Sequence, residues 1–191
     1  MGGGDKALLL LAGRPLLAHV LARITPQVQT VALNANGDPA RFASFALQVL
    51  PDMLPDFPGP LAGILAGLRW AAAQGAQDLL VVPTDTPFLP RDLLARLRTG
   101  RGTAALACAA SSGRTHPVVA LWTVTLADAL ETALATGERR VDCWMRRQGL
   151  AEIAFPDDPT EGDPFANLNA PADLAAAEAR LTARSRPSSE S

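Results

Sequence analysis

Short apolar runs alternate along this chain with longer amphipathic stretches, and that alternation limits the fold more than any other feature. Residues 8–11, 30–33, 47–50 and 78–82 read as strands, the last a buried one cut by Pro83. Residues 15–24, 38–45, 61–73 and 90–98 read as helices. Residues 103–110 and 117–122 read as neighbouring strands joined by a turn at Ser111-Ser112-Gly113. Helices over 125–135 and 140–148, a strand over 151–155 and a helix over 172–183 complete the series. The pattern predicts an α/β fold with a mostly parallel sheet covered by helices. A length of 191 residues suits one domain, expected over 1–183. The Ser-, Arg- and Pro-rich residues 184–191 read as a disordered tail.

Several function classes fall away on composition. The net charge is −2 and no basic stripe is visible, so nucleic acid is not an expected partner. No segment approaches the ~20 apolar residues that span a membrane, and the expected location is cytoplasmic. Two cysteines without a CxxC pair, Cys108 and Cys143, argue against a disulfide framework or structural zinc. Cys108 lies in an apolar run and reads as packing.

Five short segments could carry chemistry. Met1-Gly-Gly-Gly-Asp-Lys6 offers backbone N–H groups and a cation to a phosphate, and reads equally as a loose glycine-rich end. In Val82-Pro-Thr-Asp-Thr-Pro87 two prolines stiffen a strand end that holds Asp85, a carboxylate suited to magnesium or to a simple turn. Pro58-Gly-Pro-Leu-Ala-Gly63 opens a helix whose N-terminus can face an anion or a base, or simply start the helix. Asn167-Leu-Asn169 places two amides at i and i+2, for a ligand or for capping. His116, in Thr115-His-Pro117, and His19 read as structural on their own. Asn34, Asp52 and Asp85 each follow a strand, the edge where open α/β sheets bind ligands.

In order and spacing these segments resemble the molybdenum cofactor guanylyltransferase family, from Met1 to about Leu181. Met1 to Lys6 matches the end of the family's LAGGxSxRMGGxDK loop. Leu33-Asn-Ala-Asn36, Pro51-Asp52, Asp56-Phe-Pro-Gly-Pro-Leu-Ala-Gly63 and Pro83-Thr-Asp-Thr-Pro87 resemble its nucleotide half. Thr115-His-Pro117, Gly137-Glu-Arg-Arg140 and Phe165-Ala-Asn-Leu-Asn169 resemble its acceptor half.

The resemblance implies a three-layer α/β/α, Rossmann-like nucleotidyltransferase fold. It also implies transfer of GMP from GTP to the terminal phosphate of molybdenum-molybdopterin. On that reading Lys6 and Asp85 are catalytic, and Asp85 holds Mg2+. Gly2, Gly3, Lys6, Asn34, Asp52, Gly59, Pro60, Leu61 and Asp85 bind the nucleotide. His116, Arg139, Arg140, Asn167 and Asn169 face the acceptor. Transient contacts with molybdenum-insertion proteins or molybdoenzymes are implied as well.

One departure stands out: the family's first strand and the LAGG half of its loop have no counterpart here. The sequence-based expectation is therefore an internal Met1, a missing first strand and an unpaired edge inside the sheet. With Met1 as the true start, weak GTP binding and poor solubility are expected. Two rival readings remain at this level: a related cytidylyl- or sugar-phosphate nucleotidyltransferase, and an inactive molybdopterin-binding scaffold.

Overall fold

The leucine run near the amino terminus, expected as a short strand or extended segment over 8–11, is a strand only at its end. In the computed structural model, which describes residues 5–53, 59–158, 162–168 and 171–185, Lys6–Leu8 is one 3-10 turn. Asp5 caps it, its Oδ1 accepting from the Ala7 N–H at 3.3 Å. Strand β1 (Leu10–Leu11) pairs antiparallel with β2 (Arg14–Pro15). Ala12 and Gly13 between them sit at φ 49° and 74°, the left-handed pair of a two-residue hairpin. Consecutive leucines carry no period to choose strand over helix, so the turn decides.

Helix α1 (Leu16–Ile24) buries Leu16, Leu17, Val20 and Ile24 on one stripe. His19 on this helix donates from Nε2 to the Leu11 carbonyl at 2.9 Å, a structural role. Strands β3 (Ala32–Asn34) and β4 (Gln48–Leu50) form a parallel pair. The 3-10 helix Pro39–Phe45 connects them, capped by Asp38, whose Oδ1 accepts from the Ala40 N–H at 2.9 Å. Next come α2 (Pro60–Ala73), β5 (Asp78–Val81) and α3 (Leu93–Arg101).

Helix α3 begins after the position expected from Pro90 because Gln27 organises its approach. Gln27 Nε2 donates to the Pro90 carbonyl at 2.9 Å, and its Oε1 accepts from the Leu94 N–H at 2.9 Å. Strands β6 (Leu106–Ser111) and β7 (Arg114–Thr123) form a hairpin across Ser112 and Gly113. Ser111 thus ends a strand, and Thr115 and His116 lie inside the next one. The chain closes with α4 (Ala127–Ala135), α5 (Val141–Arg147), β8 (Leu150–Ala154) and α6 (Pro171–Ser185). Residues 184 and 185 continue α6 instead of starting the expected tail; 186–191 lie outside the described residues.

The main sheet has the order β5-β7-β6-β8. Strand β8 runs parallel to β6, and β7 runs antiparallel to both β5 and β6. Strands β5, β6 and β8 therefore point one way, with β7 reversed. Alternate side chains serve opposite faces. Leu106, Cys108, Ala120 and Trp122 pack with α2, α4 and α5, whereas Ala107, Ala109, Val119 and Leu121 pack with α1 and α3. This is the expected three-layer α/β/α arrangement. Burial pushes the Cys108 thiol up to about 11, in keeping with a packing role.

Strand β5 departs from expectation: all four of its residues are half-buried. The reason is that β3 and β4 form a separate sheet. A cavity of about 1250 Å³ lies between residues 28–34 on one side and 78–85 on the other. Leu17, Val20 and Leu21 of α1 and Ile64, Gly67 and Ala71 of α2 also line it. Among the described residues no ladder hydrogen bond crosses this cavity. Among the described residues β3 and β5 each have one edge without a ladder partner.

Candidate active site

Asp85 follows β5 within Pro83-Thr-Asp-Thr-Pro87. Thr86 is buried, and its hydroxyl donates to the Pro83 carbonyl at 3.2 Å, closing the turn. The Asp85 carbonyl accepts from the Leu168 N–H at 3.0 Å. Burial holds the Asp85 carboxyl above the ordinary carboxylate range; its own backbone N–H and the Lys6 ammonium act against that. Lys6 is placed by its neighbour: Asp5 Oδ2 pairs with Arg41 Nε at 2.9 Å, and Arg41 also donates to the Asn36 carbonyl. Lys6, Asn34 and Asp85 line the same cavity.

Asn34 and Asp52 meet through hydrogen bonds. Asn34 Nδ2 donates to Asp52 Oδ1 at 2.9 Å and to the Leu50 carbonyl at 3.0 Å. Asn36, which sequence reasoning did not single out, completes the cluster. Its Nδ2 donates to Asp52 Oδ2 at 2.7 Å, and its Oδ1 accepts from the Asp52 N–H at 2.8 Å. The i, i+2 spacing of two amides on an extended segment, used above for Asn167 and Asn169, was the available signal. Gly63 faces this cluster, and a Cβ there would run into the Asn34 amide.

The remaining candidates divide. Gly59 opens α2 at φ 121°, a backbone that favours glycine. Pro60 lines the cavity, whereas the Leu61 side chain packs in the core. His116 bonds Ser111 at 2.8 Å, and Ser111 bonds Asp163 at 2.7 Å; neither Ser111 nor Asp163 was anticipated, because Ser111 had been assigned to a turn. Asn167 is exposed one residue before Leu168, which touches Asp85. Arg139 and Arg140 lie between α4 and α5, away from the cavity lining, and engage the Leu134 and Glu138 carbonyls and Asp142. Gly2, Gly3 and Asn169, with residues 56–58 of the 56–63 segment, lie outside the described residues.

The donor set is suited to magnesium. Among the described residues no group of three or more His, Cys, Asp or Glu gathers as a protein cage would. One partly desolvated carboxylate on a cavity that Lys6 also lines fits an ion that takes one or two carboxylates plus substrate phosphates.

Solved structures define the fold first. The chain superposes with a TM-score of 0.71 on molybdopterin-guanine dinucleotide biosynthesis protein A from Archaeoglobus fulgidus, 23% identical, covering 95% of this chain and 92% of that one. It superposes with a TM-score of 0.74 on 4-diphosphocytidyl-2C-methyl-D-erythritol synthase from Anaerococcus prevotii, 11% identical, covering 94% and 92%. The fold is that of Rossmann-like nucleotidyltransferases. Residues 1–152 match the MobA-like NTP transferase domain, and the chain belongs to that family. It is 55% identical over 180 residues to the molybdenum cofactor guanylyltransferase of Acidiphilium cryptum, spanning 94% of this chain and 88% of that protein. Among the described residues no helix is long and apolar enough to cross a membrane.

Proposed function

We propose that this chain transfers GMP from GTP to the terminal phosphate of molybdenum-molybdopterin. A phosphate oxygen of the acceptor bonds to the α-phosphorus, the α–β bridging P–O bond breaks, and pyrophosphate carries away the electron pair. The observation that carries this reading is the convergence of Lys6, Asn34 and Asp85 on one cavity. Lys6 would neutralise the triphosphate, and the Asn34–Asp52 cluster would hold the guanosine, with Pro60 beside it. Asp85 would hold Mg2+, which when bound supplies Lewis-acid polarisation of the phosphates. Gly2 and Gly3 would add backbone donors. His116, Asn167 and Asn169 would face the acceptor, with Arg139 and Arg140 as further cations on that side. Most of the work asked of the protein is alignment of two anions and electrostatic stabilisation. The product would pass to molybdenum-insertion proteins or molybdoenzymes in the cytoplasm.

The test is pyrophosphate release from GTP or CTP in the presence of molybdenum-molybdopterin and magnesium. Release with GTP, outcompeting CTP, is the expected result. Preference for CTP would move the chain to the cytidylyl branch, and pterin binding without any release would make it a scaffold.

Gly63 offers a finer check on the nucleotide side. In Gly63→Ala the new methyl displaces the Asn34 amide and breaks its bonds to Asp52 and Leu50. At about 1 kcal/mol for such a loss, KM for GTP should rise roughly fivefold with kcat little changed. An unchanged KM would remove Asn34 from the nucleotide site.

A further inference from the structure

Ser111, at the end of β6, is 3% exposed and sits between two ionisable partners. Its Oγ is 2.7 Å from Asp163 Oδ1 and 2.8 Å from His116 Nε2. An ionised Asp163 can only accept, so the hydroxyl proton is directed to it. The serine oxygen must then accept from the imidazole, which fixes the proton of a neutral His116 on Nε2 and leaves Nδ1 as the lone-pair nitrogen. This order differs from a hydrolytic triad, in which the histidine stands between serine and carboxylate. No activated serine nucleophile results.

Asp163 also shapes the following segment. Its Oδ1 accepts from the Phe165 N–H at 3.0 Å, and its carbonyl accepts from the Ala166 N–H at 3.2 Å. Phe165 is thereby set 4.9 Å from the His116 ring and edge-on to Phe155 at 5.2 Å. Two residues past Ala166, the Leu168 N–H reaches the Asp85 carbonyl. One carboxylate therefore joins the tautomer of His116 to the backbone that carries Asn167 and meets Asp85.

We propose that Asp163 and Ser111 are positioning residues for transfer: they lock His116 as its Nε2–H tautomer and hold residues 163–168 against the strand end that presents Asp85. This rests on the guanylyltransferase reading for its kinetic consequence alone. Three influences act on the imidazole: burial and Arg114 disfavour its charged form, and Asp163 favours it. The balance lies below the ordinary histidine value. At neutral pH His116 is then a neutral, oriented hydrogen-bonding group for the acceptor instead of a cation.

Nitrogen-15 NMR of the side chains reads the tautomer directly, with His19→Gln assigning the two histidines. The wild type should show a single Nε2–H species at His116, and Ser111→Ala a mixture. In transfer assays Ser111→Ala should lower kcat roughly ten- to a hundredfold with KM for GTP unchanged. Asp163→Asn keeps an oxygen acceptor for Ser111 and Phe165 and should restore most of kcat, whereas Asp163→Ala should not. A wild-type Nδ1–H species, or Ser111→Ala with normal kcat, overturns the proposal. Should Ser111→Ala melt out, the Asp163→Asn and Asp163→Ala pair and the wild-type spectrum still decide it. A wild type that transfers no GMP defeats the functional reading instead, and the tautomer result stands apart from it.

Discussion

Replacing Asp85 with alanine is expected to lower guanylyl transfer by roughly 10³-fold or more while leaving the fold intact. The carboxylate lines the cavity within the electrostatic reach of Lys6, so its loss removes the proposed magnesium ligand. Thr86 closes the turn through the Pro83 carbonyl, whereas the Asp85 carboxyl engages only its own backbone N–H there among the described residues. Stability supplies an independent readout. Burial raises the folded-state pKa of Asp85 above its unfolded value, so the ionised carboxylate works against folding at pH values above that raised pKa. The penalty fades as pH falls through the carboxylate range, where both states become protonated. Asp85→Asn should therefore melt at or above the wild-type temperature at pH 7, with the difference shrinking towards pH 4. Near-normal transfer by Asp85→Ala in the presence of magnesium would sink the assignment.

The largest stability effect is expected at Trp122. It is fully buried on β7 and stacks on Trp144 of α5, with ring centroids 5.5 Å apart and 17° between planes. This pair joins the sheet to the helical layer formed by α2, α4 and α5. Trp122→Ala leaves a cavity there and should cost about 3–5 kcal/mol, seen as a fall in melting temperature on the order of 10 °C. The indole N–H of Trp122 has no hydrogen-bond partner among the described residues. Trp122→Phe removes that unpaired donor and keeps most of the aromatic surface, so it should recover much of the loss. Thermal melts of the two variants decide the matter; equal melting of Trp122→Ala and wild type would show that the pair does not hold the layers together.

The parts legible in the sequence are those set by local chemistry. Pro15 before Leu16 and Pro60 before Leu61 mark helix starts, and both helices form there. The apolar runs 103–110 and 117–122 read as neighbouring strands, and β6 and β7 pair there. The illegible parts depend on distant partners. Gln27 resets the start of α3 from across the fold. Ser111 looks like a turn residue until Asp163 folds back onto it. The half-burial of β5 follows from the separate β3–β4 sheet, which no local period records. Likewise Asp85 and Asn34 could be read from strand ends, and the i, i+2 spacing marked Asn36, but its bonds to Asp52 show only in the folded structure.

The cavity between β3 and β5 gives the molecule a seam in its cooperativity. Amides of β6, which pair on both sides, belong to the slowest-opening unit, whereas the β3–β4 plate can open at lower free energy. Lys6, Asn34 and Asp85 line that seam. A nucleotide touching both banks would act as a fastener: part of its binding free energy would appear as cohesion between two plates that the backbone alone leaves unjoined.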